Sequence, residues 1–154
     1  MREVELTDTD AGVSMKGIKR ILLAVDESSH SVPVAEKAIE MARTFEAKVF
    51  LVHVHPKVLD LGQPYYQQAL NKYTELSEHA VAPHKTQLEK QGLDLDVLIL
   101  EGDPAEMITE TARVEKCDLI VMGTRGLSNI QGWALGSVSN KVLHSAPCMV
   151  LMVP

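Results

Sequence analysis

From residue 17 onward, short continuous apolar runs alternate with longer stretches whose apolar residues recur every three or four positions. Ile21-Leu22-Leu23-Ala24-Val25, ended by Asp26, is a run of the first kind and predicts a strand buried on both faces. Ser28, Ser29 and Ser31 break the pattern and Pro33 suits a first helical turn. Ala35, Ala38, Ile39, Ala42 and Phe45 then lie at helical spacing. Residues 49–54 predict a second buried strand, closed by His55-Pro56, and 56–62 a loop. Ala69, Tyr73, Leu76, Ala80 and Leu88 predict a long helix to about residue 91, which Pro83 should kink or divide. After Gly92, residues 93–100 predict a third strand. In Asp103-Pro104-Ala105-Glu106 the Asp caps a helix, the Pro occupies its first position and the Glu reaches back to the cap. That helix runs to about 115, residues 119–122 form a fourth strand before Gly123, a short helix covers 136–144 and a last strand 148–153.

This order predicts an α/β fold, a single doubly wound domain with a five-stranded parallel sheet and helices on both faces. Right-handed crossovers and the need to cover both faces force the strand order to reverse somewhere. In the order 3-2-1-4-5 the reversal lies between the first and fourth strands. A ligand then binds between the loops that begin at Asp26 and Gly123. Residues 1–16 lack periodicity and read as a flexible N-terminal arm, with the domain over 17–154.

Composition narrows the function class. A chain of 154 residues suffices for one domain, and 45% apolar with 23% charged residues excludes a disordered chain. Fifteen Lys and Arg against 21 Asp and Glu give −6, the wrong sign for holding nucleic acid by its phosphates. Cys117 and Cys148 form no Cys-x-x-Cys pair and read as small buried hydrophobes in a reducing compartment. The start of the chain lacks the apolar stretch of a secretory signal, and the longest apolar runs fall far short of the roughly twenty residues that span a bilayer. The expectation is a cytoplasmic protein without membrane or nucleic-acid partners.

The candidate chemistry lies in Gly123-Thr124-Arg125-Gly126, nine further residues, and Gly136-Ser137. Glycines permit positive φ and let a ligand approach the backbone. Inward N–H groups of such a loop bind anionic oxygens, as does the start of the helix that Gly136-Ser137-Val138 opens. Ser137 adds a hydroxyl and Arg125 a positive charge. The alternative is that the glycines only shape a turn; their place after a parallel strand, at the reversal, favours phosphate binding. No Gly-x-x-x-x-Gly-Lys-Ser/Thr loop occurs, and no Gly-x-Gly-x-x-Gly follows the first strand.

The spacing Gly, two residues, Gly, nine residues, Gly, Ser resembles the nucleotide-binding branch of the universal stress protein family. The resemblance extends through Lys19-Arg20-Ile21-Leu22 with Asp26, His53-Val54, Gly102-Asp103-Pro104 and Ala146-Pro147-Cys148, and so covers residues 17–154. It implies an adenine-nucleotide alpha-hydrolase-like fold in which Ala24, Val25, Asp26 and Val54 surround the adenosine, with Asp26 near the ribose. Met122, Gly123, Thr124, Arg125 and Gly126 would pass the phosphates, and Gly136, Ser137 and Val138 would close over them. The implied ligand is ATP, AMP or ADP, with Mg²⁺ accompanying the phosphates. Relatives often carry Lys or Arg between the second and third glycines. Here the segment reads Leu-Ser-Asn-Ile-Gln-Gly-Trp-Ala-Leu, which leaves AMP and ADP as open as ATP. Strand 148–153 falls at a sheet edge, a hazard unless covered, and the resemblance supplies the cover: antiparallel pairing with the same strand of a second copy, making a homodimer.

The remaining polar residues offer less. His53 and His55 share a strand face but lack a third metal ligand, and His53 reads as structural; His79 and His84 are five apart, and His144 sits near a helix end. Ser137 lies in no Gly-x-Ser-x-Gly elbow and no general base can be assigned, so no catalytic residue is named. Trp133 is a lid, a partner contact or packing. The expected function is an ATP- or AMP-binding regulatory module of the stress response, with little or no hydrolysis and an unknown protein partner. The alternatives are a nucleotide-free, chaperone-like dimer and an enzyme of nucleotidyl transfer or flavin chemistry.

Overall fold

The computed structural model describes residues 17–125 and 135–154. The predicted arm at 1–16, Gly126 and Trp133 lie outside the described residues. In chain order the elements are β1 (Arg20–Ala24), α1 (Ser31–Phe45), β2 (Lys48–His55), α2 (Tyr65–Lys90), β3 (Leu95–Glu101), α3 (Pro104–Val114), β4 (Leu119–Gly123), α4 (Ser137–Ser145) and β5 (Met149–Val153). All neighbouring strands are parallel, in the order β3-β2-β1-β4-β5. The predicted architecture and reversal between β1 and β4 are both present.

Strand alternation sorts the core into two layers. Ile21, Leu23, Val49, Leu51 and Val121 point to one face, where Val34, Ala35, Ala38 and Ala42 of α1 and Val81 and Leu88 of α2 cover them. Leu22, Phe50, Val52, Ile120 and Met122 point to the other, under Ala105, Ile108 and Ala112 of α3 and Val142 of α4. Fully burying each large side chain contributes about 1.5–3 kcal/mol, so these layers dominate the fold's stability. The central strands are continuous apolar runs because both faces are covered, whereas the edge strands β3 and β5 are only half buried.

Two local expectations change. Pro83 does not divide α2, which runs unbroken through it. Pro83 and His79, whose carbonyl loses its helical donor, both lie on the exposed side, open to water, while Ala80, His84 and Leu88 keep their inward row. At α3 Asp103 accepts from the Glu106 N–H (3.1 Å) and Pro104 opens the helix as predicted. The reciprocal bond from Glu106 is not made, its carboxylate being exposed to water. Cys117 is buried in the layer under α3, and burial chiefly pushes its thiol up to about 12; burial raises that of Cys148 too. Both are free, as packing residues.

Candidate nucleotide site

A cleft of about 330 Å³ opens at the C-terminal ends of β1, β2 and β4, where the strand order reverses. Its volume sits at the small end of the ~300–1,000 Å³ typical of ligand pockets. Ten of the twelve residues singled out from the sequence line it: Ala24, Val25, Asp26, Val54, Met122, Gly123, Arg125, Gly136, Ser137 and Val138. Thr124 stands behind the lining, its carbonyl accepting the Gly136 N–H (2.9 Å), and Gly126 is outside the described residues.

On the β1 side the chain leaves the strand through a tight polar knot. Asp26 Oδ1 accepts from the Ser28 N–H (2.9 Å), the Ser28 hydroxyl and the Ser31 hydroxyl (3.1 Å), while Ser31 Oγ accepts the Asp26 N–H (3.0 Å). Asp26 is therefore a loop-former through Oδ1, and Oδ2 accepts no hydrogen bond from the described residues. Ser31 is buried at the start of α1; the sequence pattern marked it only as punctuation.

The ladder between β1 and β2 stops at the cleft. Its last rung is Val25 N–H to Val52 O (3.0 Å). The next carbonyl, Val25 O, is taken by His53 Nδ1 at 3.0 Å. Polar backbone groups alternate sides along a strand, so Val54 turns its N–H and C=O toward β1 beyond that last rung. His53 is thus structural through Nδ1, as expected. His55 takes another course, stacking on Tyr73 (centroids 5.4 Å apart) with Nδ1 on the Pro56 carbonyl. The two histidines form no metal pair, and no group of three His, Cys, Asp or Glu side chains is placed to hold a metal among the described residues.

Opposite stands the N-terminus of α4. Ser137, Val138 and Ser139 make its first turn, whose N–H groups have no carbonyl within the helix to bond. Gly136 precedes them as N-cap with φ −59°, and neither it nor Gly123 has positive φ. The expected left-handed conformation is absent there; the requirement is room. A Cβ on Gly123 would stand 3.0 Å from the Arg125 carbonyl oxygen, too close for any other residue without movement. Buried Ser139 donates to the Gly123 carbonyl (2.8 Å) and ties the helix start to the strand end, a role no spacing in the sequence announced. Val34 of α1 and Ile108 of α3 add apolar walls from opposite faces. Charge is divided across the cleft, with Asp26 and Glu27 on the β1 side and Arg125 beyond β4.

The Universal stress protein family model matches residues 17–154. The chain is 43% identical over 138 residues to a universal stress protein of Thermus aquaticus, covering 88% of this chain and 98% of that one. Among solved structures it is similar to protein MJ0577, with TM-score 0.80, 27% identity and coverage of 89% and 96% of the two chains. The fold also matches a universal stress protein of Arabidopsis thaliana with AMP bound, with TM-score 0.67, 20% identity and coverage of 88% and 90%. The chain belongs to the universal stress protein family.

Proposed function

We propose that the chain binds an adenine nucleotide, AMP, ADP or ATP, in the cleft and acts as a nucleotide-dependent regulatory module of the stress response, with little or no hydrolysis. The observation that carries the reading is the polarity of the cleft: the open first turn of α4 on one side, carboxylates and an interrupted ladder on the other. Phosphate oxygens suit the N–H groups of Ser137 and Val138 and the positive end of the helix dipole. Asp26 Oδ2 suits the ribose hydroxyls, and the backbone of Val54 suits the edge of the base. The AMP held by the Arabidopsis thaliana relative supports this choice of ligand. Mg²⁺ would travel with the phosphates and water, as it commonly does, because the described residues offer no metal cage.

The edge strand β5, with Met149 59% exposed, is proposed to pair antiparallel with its copy in a cytoplasmic homodimer whose occupancy a partner protein reads. The test is chromatography of what the purified protein releases on denaturation. Adenine nucleotide in stoichiometric amount is expected; an empty extract with no thermal shift on adding AMP or ATP overturns the reading. Light scattering on the same sample should give twice the 16.9 kDa chain mass, and a monomer overturns the β5 pairing.

A further inference from the structure

His53 is 3% exposed, and its Nε2 is buried at the cleft lining with no hydrogen-bond partner. Nδ1 faces the Val25 carbonyl at 3.0 Å, and a carbonyl oxygen only accepts. Nδ1 therefore carries a hydrogen, and with one hydrogen on the ring Nε2 presents a lone pair. The charged group beside it is Glu27, whose Oε1 lies 3.6 Å away. That distance exceeds a hydrogen bond, and a carboxylate also only accepts. Two acceptors thus stand side by side at the cleft, with Asp26 Oδ2 a third on the same wall. A buried acceptor left unmatched is costly, and a ligand that brings donor hydrogens removes the cost.

We propose that His53 Nε2, with the Glu27 carboxylate beside it, accepts hydrogen from the nucleoside end of the bound nucleotide and so selects for a donor on that end. The proposal rests on the nucleotide reading above. A nucleotide phosphate at neutral pH carries no donor, and neither do the ring nitrogens of adenine. The donors are the exocyclic amino group and the ribose hydroxyls, each set offering two hydrogens to a pair of acceptors. The carboxylates of Asp26 and Glu27 repel phosphate, which directs it toward Ser137 and Arg125. His53 then has two tasks on one ring: Nδ1 ends the strand ladder at Val25, and Nε2 reads the ligand that enters the gap.

The test is titration calorimetry of the full chain with AMP, with purine riboside 5′-monophosphate, which carries hydrogen in place of the amino group, and with 2′,3′-dideoxy-AMP, which lacks both hydroxyls. The wild-type chain should bind one of the two analogues about tenfold more weakly than AMP, and which analogue fails identifies the donor. In His53→Phe, AMP affinity should fall to that of the weaker analogue, bringing the ratio near one. Glu27→Gln, at a side chain 29% exposed and tolerant of change, should narrow the ratio by a smaller factor and carries the test if His53→Phe does not fold. Equal wild-type binding of all three ligands, or an unchanged ratio in the folded variants, overturns the assignment while leaving nucleotide binding intact. Absence of any AMP binding by the wild-type chain instead removes the nucleotide reading, and this assignment with it.

Discussion

At the N-terminal ends of the strands the polar groups are occupied with one another. Asp118 Oδ2 accepts from the N–H groups of Lys19 (2.8 Å) and Arg20 (2.9 Å), and its own N–H donates to the Arg20 carbonyl (2.8 Å). Arg20 reaches Glu115 at 2.9 Å and lies over the Phe50 ring, and Lys48 pairs with Asp96 at 2.9 Å. At the C-terminal ends the same kinds of group are left half used. Asp26 spends one oxygen on its loop, His53 spends one nitrogen on Val25, and the first turn of α4 keeps open N–H groups. One end of the sheet is closed by its own chemistry. The other holds its polar groups in place with half their capacity and turns the remainder toward a cleft. The contrast separates polar groups consumed within the fold from polar groups left available, without reference to residue type, since carboxylates occur at both ends.

The sharpest way to break this division is Ser137→Glu. Ser137 is exposed at the first position of α4, where a carboxylate favours the helix dipole by about 0.3–1 kcal/mol. A phosphate about 4 Å from that carboxylate meets a repulsion of about 4 kcal/mol at an intermediate dielectric. AMP affinity should therefore fall by about 100-fold or more, with a melting temperature unchanged or raised. A loss of stability in parallel would show that the α4 turn is a structural element rather than an open one.

The converse change is Asp118→Ala. It strips two N–H groups of their acceptor and should cost about 1–3 kcal/mol in denaturant titration, with AMP affinity unaltered. A matching loss of affinity would join the two ends that the structure separates. A smaller effect belongs to His84, which burial in α2 holds below its ordinary value of 6.5 against an opposing pull from Asp26. The unfolded chain takes up this proton first as pH falls, so the fold loses stability below about pH 6.5. His84→Gln should shrink the drop in melting temperature on acidification, and an unchanged slope would assign acid sensitivity elsewhere.

Much of this molecule is legible in the chain. The runs at β1, β2 and β4 announce strands covered on both faces, and Asp103-Pro104 announces a helix start, because burial and capping act over a few neighbouring residues. The position of the cleft was legible in outline for a related reason: a parallel sheet with one reversal has one place where loops diverge, and Gly123 and Gly136 lie there. Ser31, His53 and Ser139 were less so. Each acts on a partner brought near by folding: Ser31 on Asp26 across a loop, His53 on Val25 across two strands, Ser139 on Gly123 across 16 positions. Local spacing carries no mark of such contacts.

The sequence by itself determined the elements, a reversal in the strand order and the end of the sheet where the cleft opens, since periodicity and crossover handedness leave little choice. Only the tertiary structure decided how each polar atom is used. It let α2 pass through Pro83 by turning that position to water, and crowded Gly123 through the Arg125 carbonyl, 3.0 Å from where a Cβ would stand, rather than through positive φ. It also divided His53 between a backbone carbonyl and the cleft. Such outcomes depend on which atoms lie within 3 or 4 Å in three dimensions, and a linear pattern does not record that distance.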